Sequence, residues 1–441
     1  MSVIRVFFLL ILAFISPLSA AQFDFVKWNK RDYVTIESMC RYFGYPIPTL
    51  PKKGQVKMES ADSSMTIEMN QRSFYMNGAR AWLSFPIVRN NEGKAILSRL
   101  DLEKLILPVM EPEKHIPKNP VKGVVIDPGH GGADRGARSK SGYSEKTAAL
   151  STAKFLREIL KEENIPYLMT RTTDRFIPLS ERADIANRHP DHLFISIHYN
   201  AAHHSAHGVE TYCLTPRGAG STSSSGRVRS SDYKSYEGNQ SDLQNVILAS
   251  LIHNEMKTMH SQQGDRGLKR ARFVVLRECQ VPGVLVEGGF MTNHLDRALI
   301  EGDSYKKKVA QAIYRGIRNY MTLSEGGSLP ASSDPEESAE KPDQAEPDDH
   351  SESEKLDPKP VPVEEQEKPA IEEPVDDPVA EEKEPTKSVS PDNEPARPAF
   401  KVSTREEIRL RLQAAIEQAE EGSILVPEPI VPEAEPKGDA P

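Results

Sequence analysis

The sequence predicts an α/β fold: an open, mostly parallel sheet flanked by helices over residues 122–322, preceded by a small α+β domain and followed by a disordered acidic tail. Three observations predict it. After residue 122, short apolar runs alternate with longer amphipathic ones, the signature of strand and helix in turn. Between residues 22 and 112 the runs are shorter, alternate with a period of two and are broken by turn residues. After residue 322, Pro, Glu, Asp and Ser dominate and aromatics nearly vanish, a composition that buries too little apolar surface to offset ordering entropy.

Taken in order, the chain opens with Arg5, an apolar run from Val6 to Ile15, and then Ser19, Ala20 and Ala21. This reads as a signal peptide over residues 1–21, hence export to the periplasm, the cell wall or the exterior. About ten apolar residues are too few for a bilayer that needs roughly 20. No transmembrane segment is expected in the mature chain. Cys40, Cys213 and Cys279 are odd in number and lack a C-x-x-C pair, so buried apolar roles are expected, with a Cys213–Cys279 bridge as the alternative.

Residues 22–112 contain two look-alike stretches. Tyr33–Ile36 leads into Glu37–Phe43, and Ala95–Ser98 leads into Arg99–Ile106. Each reads as a strand, a capping hydroxyl and a short helix. Between them lie strands at Val56–Glu59 and Met65–Met69, and an Asn77-Gly78 hairpin turn. The arrangement resembles the duplicated stalk domain named after the amino-terminal region of copper amine oxidases, and a positioning or wall-binding role is expected of it.

Pro117 and Pro120 mark a linker over residues 113–121. Strands are then expected at Val124–Asp127, Tyr167–Thr170, Leu193–His198, Val209–Leu214, Phe273–Leu276 and Gly283–Glu287. Helices are expected at Lys146–Glu162, Leu179–Arg188, Ser241–Gln262 and Ser304–Met321. Residues 323–400 are the disordered acidic segment, 401–422 read as one short amphipathic helix, and 423–441 are again disordered. The net charge of −9 hides a division. Residues 331–441 carry 32 acidic and 12 basic side chains, leaving 33 and 44 before them. A basic folded part suits an anionic polymer, but charge alone does not choose between cell wall and nucleic acid.

The chemistry concentrates where apolar strands end. Val124–Asp127 runs into Pro128-Gly129-His130-Gly131-Gly132, and Phe194–Ile197 delivers His198. Strand carboxyl ends line the sites of open α/β sheets, and a neutral imidazole is a metal ligand. A phosphate loop is the competing reading, yet neither a Gly-Lys-Ser/Thr ending nor G-x-G-x-x-G follows. A catalytic zinc keeps three protein ligands, and Glu145, opening a helix after the glycine-rich loop, is placed to be the third. Glu287 ends the apolar strand Val284–Val286, where a lone charge is costly without a partner. His203, His204 and His207 follow His198 closely but read as loop residues.

Several ordered motifs then coincide: Asp127–Ala137, Glu145-Lys146, Thr170–Arg175, Leu179–Arg182, Ala186-Asn187, Ser196–His198, Asp265–Lys269, Val286–Phe290 and Met291–Asn293. Together they resemble the zinc-dependent N-acetylmuramoyl-L-alanine amidases across residues 122–322. That resemblance implies hydrolysis of the amide joining the lactyl group of N-acetylmuramic acid to L-alanine in peptidoglycan. It implies one Zn2+ held by His130, Glu145 and His198, with Glu287 as acid/base. The partners implied are peptidoglycan and a divisome or wall-associated activator, not nucleic acid. Asn200 and Arg266 are candidates for substrate contact, Arg266 with a structural ion pair as its alternative. An inactive peptidoglycan-binding module and a zinc peptidase cutting within the stem peptide remain open alternatives. The Gly/Ser-rich, basic stretch 215–241 is expected to be a flexible substrate-gripping lid near the site, since its composition disfavours the autoinhibitory helix that some division-linked relatives carry there.

Overall fold

A computed structural model describes residues 23–139, 141–224, 226–259 and 264–329. The expected signal peptide, acidic segment and short helix at 401–422 lie outside them. The amino-terminal part opens with β1 (Phe25–Trp28), β2 (Arg31–Thr35) and α1 (Ile36–Phe43). A meander follows: β3 (Gln55–Glu59), β4 (Ser64–Glu68), β5 (Ser73–Met76) and β6 (Ala79–Trp82). It closes with β7 (Val88–Arg89), β8 (Ala95–Ser98) and a helical run made of α2 (Arg99–Asp101), a π-helical turn at Leu102–Ile106, and α3 (Leu107–Met110).

The expected duplication is visible as geometry. Thr35 and Ser98 are both N-caps, accepting from Ser38 N and Asp101 N. Their strands β2 and β8 pair antiparallel in a four-stranded sheet ordered β1-β2-β8-β7. At the Asn-Gly turn, Asn77 (φ 48°) and Gly78 (φ 73°) are both left-handed, as a tight hairpin with right-handed strand twist requires.

The second part contains β9 (Gly123–Pro128), α4 (Glu145–Glu162), β10 (Tyr167–Met169), α5 (Leu179–Asn187), β11 (His192–Asn200), β12 (Val209–Leu214), α6 (Asp242–Met259), β13 (Asp265–Ala271), α7 (Val274–Arg277), β14 (Gly283–Phe290), α8 (His294–Glu301) and α9 (Asp303–Ser324). The strand order is β10-β9-β11-β14-β12-β13, with only the β14–β12 pair antiparallel. β9 and β14 are buried along their whole length, which explains their nearly continuous apolar runs. Helix α4 buries the stripe Ala148, Ala149, Thr152, Ala153, Leu156 and Leu160, the i, i+3/i+4 pattern of one helix face.

The sheet does not end at β13. β6 joins it in parallel through Leu268↔Ala81, and β5, β4 and β3 continue it to ten strands. Met65, Phe74, Met76 and Ala81 share one hydrophobic core with Val246, Leu268 and Ile317.

Two expectations need correction. Phe273–Leu276 is not a strand: Val274–Arg277 forms the short helix α7, whose Val275 and Leu276 pack with Ala183, Phe194 and Leu285. The strand lies earlier, at Asp265–Ala271, where Arg266, Lys269 and Arg270 mask strand periodicity. Stretch 215–241 is not a lid over the site either. It leaves β12 at Leu214, beyond Tyr212, which is paired with Leu285, and therefore at the end of the sheet opposite Glu287. There Arg272 donates to the Ala219 carbonyl and pairs with Asp232, while Arg72 donates to the Thr222 carbonyl. Helix α8 was not anticipated; Asn293 caps it by accepting from Leu295 N and Asp296 N.

Candidate metal centre and active site

His130 follows β9 in a left-handed conformation (φ 58°) that few non-glycine residues adopt. Two buried arginines hold that turn. Arg182 donates to the carbonyls of Pro128 (2.9 Å) and His130 (2.8 Å), and Arg171 donates to those of Pro128 (2.9 Å) and Gly129 (2.6 Å). Beneath them Asp127 pairs with Arg182 at 2.8 Å and accepts from Thr170 and Ser196. The sequence showed these residues as motif members but not their task.

Glu145 is the first residue of α4. Its Oε2 accepts from Ala137 N at 2.9 Å, and its Oε1 accepts from Tyr199 N at 3.1 Å. That same Oε1 stands 3.0 Å from His130 Nε2 and 2.9 Å from His198 Nδ1. One ligand atom from each residue lies within 4.8 Å of the other two. Burial opposes ionisation of Glu145, but hydrogen bonds from both histidines outweigh it and hold the carboxyl well below the usual range. His130 Nδ1 faces Asp134 Oδ2 at 2.8 Å, the carboxylate–histidine arrangement that orients metal-ligating imidazoles. Burial lowers the His130 pKa, yet Glu145 and Asp134 together raise it. Two imidazole nitrogens and one ionised carboxylate oxygen are a donor set for zinc.

Space here is enforced by Gly136 (φ 62°). A Cβ at that position would lie 2.5 Å from Glu145 Oε2 and 2.6 Å from His130 Cδ2.

Glu287, on β14, is the register partner of His198 on β11 and of Glu210 on β12. It is 8% exposed, and its Oε2 has no hydrogen-bond partner among the described residues. Burial, then the charges of Glu145 and Glu210, push its carboxyl well above the usual carboxylate range.

A sequence model of the N-acetylmuramoyl-L-alanine amidase family matches residues 124–319. The N-acetylmuramoyl-L-alanine amidase AmiA of Escherichia coli is 35% identical over 219 residues, covering 45% of this chain and 75% of AmiA. The chain belongs to this amidase family. The uncharacterized protein YqiI of Bacillus subtilis is also 35% identical, over 205 residues, covering 46% of this chain and 86% of that one. The solved structure of N-acetylmuramoyl-L-alanine amidase AmiC2 of Nostoc punctiforme aligns at 30% identity and a TM-score of 0.39, covering 46% of this chain and 99% of that chain.

In this amidase the two remaining candidates converge on Glu210, a residue that sequence reasoning missed. Arg266 Nε and Lys269 Nζ each approach Glu210 Oε1 at 2.6 Å, while Asn200 Nδ2 and the Tyr212 hydroxyl donate to Oε2 at 3.0 and 2.7 Å. Arg266 therefore forms the ion pair weighed as its alternative, and its guanidinium also lies 4.8 Å from the Phe290 ring centroid. Burial raises the Glu210 pKa, but Lys269 and Arg266 outweigh it and hold the carboxyl ionised. A charge inside the apolar alternation Val209–Leu214 was the only sequence signal for it. His203 and His204 are exposed loop residues and stand outside the three-ligand group. All three cysteines are free and buried.

Proposed function

We propose that this chain hydrolyses the amide between the lactyl group of N-acetylmuramic acid and L-alanine in peptidoglycan. In this reading one zinc ion is held by His130, Glu145 and His198, and Glu287 is the acid/base. The observation that carries it is the convergence of the three ligand atoms within 4.8 Å, on strands and a helix that also place Glu287 beside His198. An ion held by His130, Glu145 and His198 would supply Lewis acidity toward the amide carbonyl and the attacking water, and a positive charge that would favour ionised Glu287.

The chain's own groups supply the rest. Glu287 takes a proton from the attacking water and returns it to the L-alanine nitrogen as the bond breaks, a relay that one carboxyl can serve in both directions. Asp134 holds the His130 ring so that Nε2 is the ligating atom. Asn200 and Arg266, fixed by Glu210, present an amide and a guanidinium beside Glu287 for substrate carbonyl or carboxylate groups. The expected setting is outside the cytoplasmic membrane, where peptidoglycan lies, and among the described residues no helix is long and apolar enough to cross a membrane.

The test is digestion of purified sacculi by the parent and by Glu287→Gln, with mass spectrometry of the products. The parent should release stem peptides with free L-alanine amino termini and leave the glycan intact. The variant should lose roughly 10²–10⁴-fold in rate. Equal activity of the two proteins would refute the role assigned to Glu287. Cleavage within the stem would refute the assigned bond.

A further inference from the structure

The rim that carries His198 and Glu287 extends beyond the catalytic strands. Pro128, Ile197, Val286, Thr211, Leu268 and Ala81 are successive register partners across β9, β11, β14, β12, β13 and β6. One residue nearer the rim stand Glu287 on β14, Glu210 on β12 and Arg80 on β6. Three strand spacings of about 4.8 Å separate the first from the last, so Arg80 lies roughly 14 Å along the rim from Glu287.

Arg80 is a cation without an anion. Its guanidinium stacks 4.9 Å from the Trp82 ring centroid, and its buried Nε has no hydrogen-bond partner among the described residues. It makes no ion pair among them either. Asp265, the acid on the adjoining strand, is engaged elsewhere: its Oδ2 accepts from Arg80 N at 2.7 Å and its Oδ1 faces His253 Nε2 at 2.8 Å. The Trp82 ring that orients the guanidinium is itself fixed, its Nε1–H donating to the Arg266 carbonyl at 2.9 Å. Alternation along the meander explains the exposure. Met65, Phe74, Met76 and Ala81 face the core, so Thr66, Tyr75, Arg80 and Trp82 line the opposite, partly open side.

An orphaned, pre-oriented guanidinium on a rim shared with the site is built for an anionic group of the substrate. We propose that Arg80, held by Trp82, is a subsite for the acidic stem peptide, binding a carboxylate about four residues from the scissile amide. The spacing agrees, since four extended residues span at most about 14 Å. The inference rests on the amidase reading above and adds to it that the amino-terminal meander is part of the substrate cleft.

The test uses the full chain carrying Glu287→Gln to suppress turnover, titrated calorimetrically with N-acetylmuramoyl-tetrapeptide and with the same ligand amidated only at its C-terminal carboxylate, the one about four residues from the scissile amide. With Arg80 present, the acidic ligand should bind about tenfold more tightly than the amidated one, the worth of one charge-assisted contact. Adding Arg80→Gln should abolish that preference without changing the unfolding midpoint, and Arg80→Lys should restore part of it. The inference is overturned if both ligands bind alike, if neither binds, if Arg80→Gln keeps the preference, or if the variant loses affinity for stem-free glycan instead. Failure of the amidase reading would appear separately, as absence of stem-peptide release from sacculi by the parent.

Discussion

At the scale of single residues, the candidate metal centre is a set of donors held by backbone contacts. Glu145 is fixed by Ala137 N and Tyr199 N before either histidine is counted. Gly136→Ala should therefore act sterically, since neither Glu145 nor His130 can retreat from a new Cβ. Zinc affinity, measured by chelator competition, should fall at least tenfold while far-ultraviolet circular dichroism stays unchanged; parent-like affinity would contradict the packing described. The Asp127–Arg182 pair acts one layer deeper. Arg182→Met leaves an uncompensated buried carboxylate and should cost about 3–5 kcal/mol in denaturant unfolding. His130, Glu145, His198 and Glu287 were legible because apolar strands and a helix start single out the polar residue at their ends. Glu210 was not, because the groups that make a buried carboxylate there tolerable, Arg266 and Lys269, lie on another strand.

Among elements, the informative one is β13. Its charges hid it from periodicity, and their partners explain why it is a strand at all: Arg266 and Lys269 meet Glu210 on β12, and Asp265 meets His253 on α6. Gly267 (φ 93°) sits where the β12–β13 register shifts, and a Cβ there would meet the Arg80 carbonyl at 2.9 Å. This bulge is what allows Arg266 and Lys269, an odd number of residues apart, to reach the same carboxylate oxygen. Asp265 also carries a pH prediction. Burial raises its pKa, but the bond and charge of His253, the Arg80 backbone N–H and the Lys257 charge together outweigh burial and depress it below its unfolded value of 3.8. A depressed carboxylate stabilises the fold above the unfolded value, and that contribution is lost as pH falls through the folded one. Asp265→Asn should thus lose about 1–2 kcal/mol at pH 7, and the gap to the parent should narrow as pH falls below the unfolded value of 3.8. A gap that persists in acid would show that the carboxylate charge is not what matters. Strands β9, β11, β12 and β14 and helices α4, α5, α6 and α9 were readable because their periodicity is local.

For the whole molecule, the amino-terminal part and the catalytic part share both a sheet and a core. Composition and the proline cluster read as two units with a linker, since neither reports which strand will pair with which. A chain beginning at residue 113 would uncover Leu268 and the α6 surface that packs against Leu105, Ile106 and Val109. Such a chain should unfold at markedly lower denaturant than the parent and should tend to self-associate on size-exclusion chromatography. A monomer of parental stability would mean that the shared core contributes little.

The β6–β13 pairing also bears on solubility. A sheet ending at β13 would present a seven-residue strand of unpaired amides and carbonyls, a ready template for another copy of the chain. By continuing the sheet, the meander moves that vulnerable margin four strands away. It now falls on β3, where Lys57 and Glu59 are exposed, while the opposite margin is the three-residue β10. One border is thus guarded by charge and the other by brevity, and the amino-terminal strands serve the enzyme as its own protection against edge-to-edge stacking.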